Sequence, residues 1–291
     1  MNFDLSEEQQ ILVDSVAKYV KNDSPVERFR KQRESERGYE LDAWARMGEM
    51  GWLGVAFPEE HGGFGGRFAD LALILEQLGR GLVPAPMIAS VVLAGGLLSR
   101  LGSAEQVKTF LEPMIEGRTT LAFAYTERQS RYHLHECATR AERRGAGFAI
   151  SGEKVWVLNG HAADHIVVVA RTAGAQSDAA GLSLFVVDAN APGLTRTRVP
   201  TMDGQRCGLL RFENVEVGAD RLLGEANTAL ASIEWAIDRG AAAACAVGGT
   251  LTQTLRVAWL FPSLGSSWLP AIGATETRIT WLREKPVPHS I

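Results

Sequence analysis

The sequence predicts an α+β chain: an N-terminal all-α domain, an antiparallel β-sandwich or barrel, and then a returning helix. Three observations carry this. Apolar residues recur at helical spacing through residues 1–118, where two capping boxes mark helix starts. From Thr119 the texture changes to short runs rich in Val, Leu, Phe and Thr, parted by Gly, Asp and Asn. Those runs follow one another without intervening helices, which argues against a doubly wound parallel sheet.

The first helix starts at the capping box Ser6-Glu7-Glu8-Gln9, and Ile11, Leu12, Val16, Tyr19 and Val20 make its apolar face. Leu71, Leu75 and Leu78 mark another helix, which ends at Gly79 and Gly81. A second box, Ser103-Ala104-Glu105-Gln106, opens a helix carrying Val107, Phe110 and Leu111. The expected strands are Leu121–Glu127, Phe148–Leu158, His165–Thr172, Leu182–Ala189, Leu194–Thr201 and Cys207–Val217. A helical signal returns at Ala226 and runs to Val247. The stretch from Gly248 to Ile291 differs, with Trp259, Trp268 and Trp281 among Pro262, Pro270, Pro286 and Pro288. Internal prolines remove backbone donors and oppose a sustained helix there. The expected division is therefore a helical domain over 1–118, a β-domain over 119–224, a helix over 225–247 and an atypical tail over 248–291.

Bulk properties narrow the classes. Apolar residues make up 46% of the 291, enough for a real core, and the formal net charge of −4 draws nothing toward nucleic acid or an anionic membrane. Cys137, Cys207 and Cys245 are odd in number and lack C-x-x-C spacing, which opposes a disulfide framework or thiolate zinc site and fits a reducing compartment. The first ten residues lack the charged-then-apolar order of a signal peptide, and the longest apolar stretch, Met87–Leu98, is too short to cross a bilayer. The expectation is a cytoplasmic globular protein without nucleic-acid partners.

Four motifs in order go further. They are Met50-Gly51-Trp52-Leu53-Gly54 followed by Pro58–Gly66, the run Leu121–Glu127, the run Gly152–Asp164, and Phe212–Val217 with Asp220–Glu225. Over about residues 4–247 the chain resembles the acyl-CoA dehydrogenase family. Gln129–Leu134 and Val157–Gly160 look closest to the pimeloyl-CoA dehydrogenase small-subunit type. The resemblance implies FAD as cofactor, an acyl-CoA thioester as substrate, and an electron acceptor the sequence does not name. By resemblance Phe123, Tyr125 and Thr126 meet the pyrimidine edge of the flavin, and Trp156 lies against its ring. From composition alone Trp156 reads as a strand core aromatic; the motif context makes it a flavin contact.

The chain also departs from the family pattern. Leu158 stands where the family places a Thr or Ser near the flavin N5, so only its backbone amide can donate. Tyr132 replaces the Ser that meets acyl-CoA, with Arg131 beside it. No R-x-x-F-G motif or catalytic Glu follows Val247, so the helical bundle that closes family subunits is expected to be truncated. Asp238 falls near the alternative position of the base, although an Asp beside Arg239 on a helix also reads as a solvated ion pair. Arg128, Arg131, Arg140, Arg143 and Arg144 form a run that suits either CoA phosphates or a solvated loop face. His133-x-His135 and His161-x-x-x-His165 have metal-compatible spacing without accompanying carboxylates and read as surface histidines. A catalytic dehydrogenase and a non-catalytic subunit supporting a full-length partner, in a homo- or hetero-oligomer, both remain open. The tail reads as a shifted reading frame; the other two frames of its DNA are then expected to encode R-x-x-F-G.

Overall fold

The structure, a computed structural model, describes residues 4–248. Helix α1 (Glu7–Asp23) starts at the predicted box: the Ser6 hydroxyl accepts from the Gln9 amide at 3.2 Å, and the Gln9 side chain accepts from the Ser6 amide at 3.1 Å. Helices α2 (Val26–Glu34), α3 (Leu41–Glu49) and α4 (Phe68–Arg80) follow. Between α3 and α4 the glycine-rich run Gly62–Gly66 is a tight turn, where a Cβ on Gly63 would stand 2.2 Å from the Phe57 carbonyl. The apolar stretch Met87–Gly95 winds as a wide π-type helix and continues into α5 (Gly96–Leu101). Helix α6 (Ala104–Gln106), capped by Ser103, leads through wide turns at Val107–Leu111 into α7 (Glu112–Ile115). No helix among the described residues is long and apolar enough to cross a membrane.

Eight strands form one sheet: β1 (Leu121–Ala124), β2 (Arg140–Arg144), β3 (Gly147–Leu158), β4 (His165–Arg171), β5 (Leu182–Asp188), β6 (Leu194–Pro200), β7 (Arg206–Gly218) and β8 (Leu222–Leu223). Their order is β6-β7-β3-β2-β4-β5-β8, with β1 off this path, pairing with residues 165–168 on the edge of β4 that β2 meets at Arg171. The expected antiparallel domain is thus mixed, because β1 runs parallel to β4 and β2 meets β4 in parallel at Arg140 and Arg171. A long connection from β1 to β4 removes the need for a hairpin and so permits the parallel pairing.

Period-two alternation between two buried faces explains why β4 is apolar from Ile166 to Ala170. Val167 and Val169 join the core shared with the helices, while Ile166, Val168 and Ala170 face a second core within the sheet. Strand β1 splits likewise: Leu121 and Phe123 pack toward the helices, and Ala122 and Ala124 turn the other way. Buried on both faces, these strands read as continuous apolar runs. Ser90, on the π-type helix, fixes β1 by donating to the Leu121 carbonyl at 2.8 Å and accepting from its amide at 2.9 Å.

Some expected boundaries move. Strand β1 stops at Ala124 rather than Glu127, since the Ser130 hydroxyl accepts from the Glu127 amide and turns the chain. The arginine run at 140–144 is not a loop: it is strand β2, with only Ala141 buried, paired with Gly147–Ser151 of β3. Helix α8 (Leu230–Val247) begins four residues later than Ala226, because Asn227 takes φ 70° and the Ala229 amide still donates to Leu182 of β5. Buried Ile233, Ala236 and Ala243 seat α8 against α4 and the π-type helix. The reading of the tail lies outside the described residues, apart from Gly248.

Candidate functional site

Strand β3 loses its regular pairing twice. Near its start Ser151 stands opposite Glu213 and Asn214 of β7, and near its end Val155 and Trp156 stand opposite Leu209 alone. Each is a β-bulge, one per strand, so the second restores the offset that the first introduces. At the second bulge Trp156 adopts φ 55°, a left-handed conformation that costs an aromatic residue about 1–2 kcal/mol. Trp156 is 56% exposed, between buried Val155 and Val157. The Val155 amide donates to the Thr126 carbonyl at 2.9 Å, which brings the segment after β1 against the bulge.

A cavity of about 620 Å³ opens there, lined by Thr126, Glu127, Arg128, Arg131, Tyr132, Val155, Trp156 and Leu209. Among the described residues the Thr126 hydroxyl has no hydrogen-bond partner. Tyr132 is 97% exposed, and Arg131 beside it turns at φ 47°. Neither Arg128 nor Arg131 makes an ion pair among the described residues.

Glu127 differs from its neighbours in the wall because it is fully committed. It pairs with buried Lys154 at 2.6 Å and accepts from the amides of Ala138 (2.7 Å) and Thr139 (3.1 Å). Burial raises its pKa, but the Lys154 ammonium and these donors outweigh that and bring it down to about 2. A carboxylate so acidic and so engaged is a poor proton acceptor. Cys137 lies 3.3 Å from Glu127, and burial pushes its thiol upward. Behind this cluster, buried Arg171 donates to six backbone carbonyls: His135, Cys137, Ala173, Gln176, Asp178 and Ala180.

Of the residues expected at the site, the structure brings Thr126, Trp156, Tyr132 and Arg131 onto one cavity wall. Phe123 is buried beneath, stacked on Tyr125 with centroids 5.1 Å apart, so these two reach the cavity only through the chain they carry. Leu158, half-exposed at the end of β3, does not line the cavity. Asp238 is exposed on α8 and is also absent from the lining. It forms no ion pair with Arg239, whose guanidinium packs over Trp235 (4.7 Å) and Phe68 (5.0 Å). His161 bonds the Arg37 carbonyl and His165 bonds Asp188, while His133 and His135 lie with ring centroids 5.6 Å apart. Sequence reasoning missed Lys154, Val155 and Leu209; Lys154 carried a signal, a lysine at the inward register of an otherwise apolar strand.

The donor set suits a flat heteroaromatic ring bearing acceptors. An exposed indole face, a free hydroxyl and two aliphatic side chains can hold such a ring, and the two arginines give the rim positive charge.

The family description "Acyl-CoA dehydrogenase, N-terminal domain" matches residues 6–118, and "Acyl-CoA dehydrogenase, middle domain" matches residues 122–215. "Probable acyl-CoA dehydrogenase YngJ" of Bacillus subtilis is 31% identical over 255 residues, which are 85% of this chain and 67% of that protein. The chain belongs to the acyl-CoA dehydrogenase family. Acyl-CoA dehydrogenase FadE12 of Mycobacterium tuberculosis is 32% identical over 78% of this chain, which spans 59% of the length of that relative. Among solved structures, the ChsE4-ChsE5 complex from Mycobacterium tuberculosis includes a chain matching 90% of this one at 27% identity and TM-score 0.78, with 68% of that chain covered. The order of helices, mixed sheet and returning helix is thus that of acyl-CoA dehydrogenases.

Proposed function

We propose that this chain serves an FAD-dependent oxidoreductase that introduces an α,β double bond into an acyl-CoA thioester. One observation carries the reading: a strained, half-exposed indole at a bulge shares a cavity wall with an unpartnered Thr126 hydroxyl. Strain of this kind persists where the surrounding structure holds it for a purpose. Trp156 would stack on the isoalloxazine, and the Thr126 hydroxyl would donate to its polar edge. The backbone after Phe123 and Tyr125 and the Leu158 amide would complete the contacts. Bound there, FAD supplies the hydride acceptor. Arg131 and Tyr132 would orient the acyl-CoA at the cavity mouth. Asp238 would take the α-proton by its position in the family pattern, although it stands outside this cavity wall, because the low pKa that Lys154 imposes on Glu127 makes that carboxylate too weak a base.

A second reading is favoured by the carboxylates. Among the described residues Glu127 is the sole carboxylate in the cavity wall, and it is committed, so the chain would be a non-catalytic subunit supporting a full-length dehydrogenase. The similar ChsE4-ChsE5 structure, itself a two-protein complex, and the pimeloyl-type motifs suit such a heteromer, and a cytoplasmic setting suits both readings.

An absorbance spectrum of the purified chain separates the two. Dehydrogenase function predicts flavin bands that rise with added FAD and vanish in Trp156→Ala. A folded wild-type preparation that stays colourless sinks the dehydrogenase reading and leaves the supporting one. Turnover that survives Asp238→Asn would remove Asp238 as the base.

A further inference from the structure

Away from the cavity, and sharing none of its lining, five arginines converge where the α2–α3 connection meets the β6–β7 hairpin. Arg196 and Arg198 lie two residues apart on β6, and Arg206 opens β7 opposite Pro200. Arg33 closes α2, and Arg37 lies in the connection that follows. Backbone carbonyls tie them together. Arg206 donates to Arg33, Arg198 to Glu36 (3.3 Å), Arg37 to Ala162 (2.8 Å) and Arg196 to Ala163 (2.9 Å). His161 closes the group through a 3.0 Å bond from Nε2 to the Arg37 carbonyl, and its buried Nδ1 has no partner.

The charges in this cluster are not matched by ion pairs, and among the described residues only Arg196 feels an opposing carboxylate, Asp164. None of the five guanidinium groups forms an ion pair among the described residues. The nearby carboxylates are occupied or turned away. Asp164 accepts from the Thr120 amide and hydroxyl, and Asp203 accepts from Thr201 and the Gln205 amide. Glu34 and Glu36 are exposed and reach none of the five. Burial leads in pushing Arg206 and His161 below their ordinary pKa values and the neighbouring arginines add to it, with the bond to the Arg37 carbonyl opposing at His161; for Arg196 burial leads, the Asp164 carboxylate opposes it and Arg37 adds to it. Each guanidinium carries five N–H donors, and the carbonyl bonds use only a minority of them. A purely structural latch would satisfy these donors or balance their charge. A planar fork of free, charged donors instead matches phosphate oxygens.

We propose that Arg33, Arg37, Arg196, Arg198 and Arg206 form a binding site for a phosphate-bearing small molecule, separate from the cavity on β3. The site takes a compact polyanion, either free diphosphate or the diphosphate of a nucleotide. Calorimetric titration of the whole chain with inorganic pyrophosphate in low-chloride buffer, and with ADP in parallel, tests this. Saturable binding is expected, weakened about tenfold or more in Arg33→Gln/Arg198→Gln, both exposed positions. Arg80→Gln/Arg118→Gln, which removes the same charge elsewhere, is expected to bind as the wild type does, and all three proteins to melt alike. Equal affinity for the two probes assigns the site to free diphosphate, and tighter ADP binding to a nucleotide. Absence of saturable binding, or equal weakening in both double variants, overturns the proposal. Tighter binding of a hexaglutamate peptide than of pyrophosphate also overturns it, in favour of an acidic protein partner.

Discussion

At its start β3 pairs with β7 residue for residue, Gly147 with Gly218 through Ile150 with Val215; at its end the same two strands part around Val155 and Trp156. The first half buries Ala149 and Ile150, and positive φ there falls on Gly152 and on Asn214 of β7, residue types that tolerate it. The second half holds an aromatic residue at φ 55° and leaves it more than half exposed. Lys154 stands at the boundary, its ammonium buried beneath the bulge against Glu127. One half thus supplies packing, and the other spends part of that packing to present a ring. The ion pair between them holds the transition in place.

The largest test removes that pair. Lys154→Ala strands a buried carboxylate and is expected to cost about 3–5 kcal/mol in urea unfolding; a cost under about 1 kcal/mol would show that the two halves do not depend on it. Acid comes next. The folded-state pKa of Glu127, about 2, lies below its ordinary 4.5, so the pair's contribution is complete above about pH 4.5 and fades as pH falls toward 2. Unfolding followed over that window is expected to lose part of its acid sensitivity in Glu127→Gln, measured against that variant's own neutral stability, while Glu40 and Glu136, also held below their ordinary pKa, keep the rest. Smaller still is Trp156→Gly, which relieves the left-handed strain while removing the ring. Its unfolding free energy is expected within about 1 kcal/mol of wild type, with flavin binding lost; a large destabilisation would make the indole a packing element after all. The smallest is Thr126→Val, expected to weaken flavin retention by about 1 kcal/mol through one lost hydrogen bond, with thermal stability unchanged.

Local chemistry was legible in the sequence. Ser6 with Gln9 and Ser103 with Gln106 announced helix starts because both halves of each capping bond lie within four residues. The apolar runs of β4 and β5 were legible because burial on both faces leaves no polar alternation to disguise them. Strand β2 was hidden for the opposite reason: of Arg140–Arg144 only Ala141 is buried, and the strand exists because β3 offers it an edge. The bulge at Trp156 depends on an offset made and cancelled across two strands, which no single segment records. The joining of Glu127 to Lys154 across 27 positions is likewise a product of the fold. Trp156 and Thr126 were singled out by motif; the shared wall they line comes from the hydrogen bond between Val155 and Thr126.

Arg171 has a consequence for how this region can vary. Its guanidinium organises residues 135–137 and 173–180 entirely through main-chain oxygens, which every amino acid provides. The path of both connections therefore leans on Arg171 more than on their own side chains, apart from buried Cys137 and the Asp178 carboxylate that caps the Ala175 amide. The guanidinium itself has no substitute, because the three donors of a lysine cannot reach six acceptors spread around a plane.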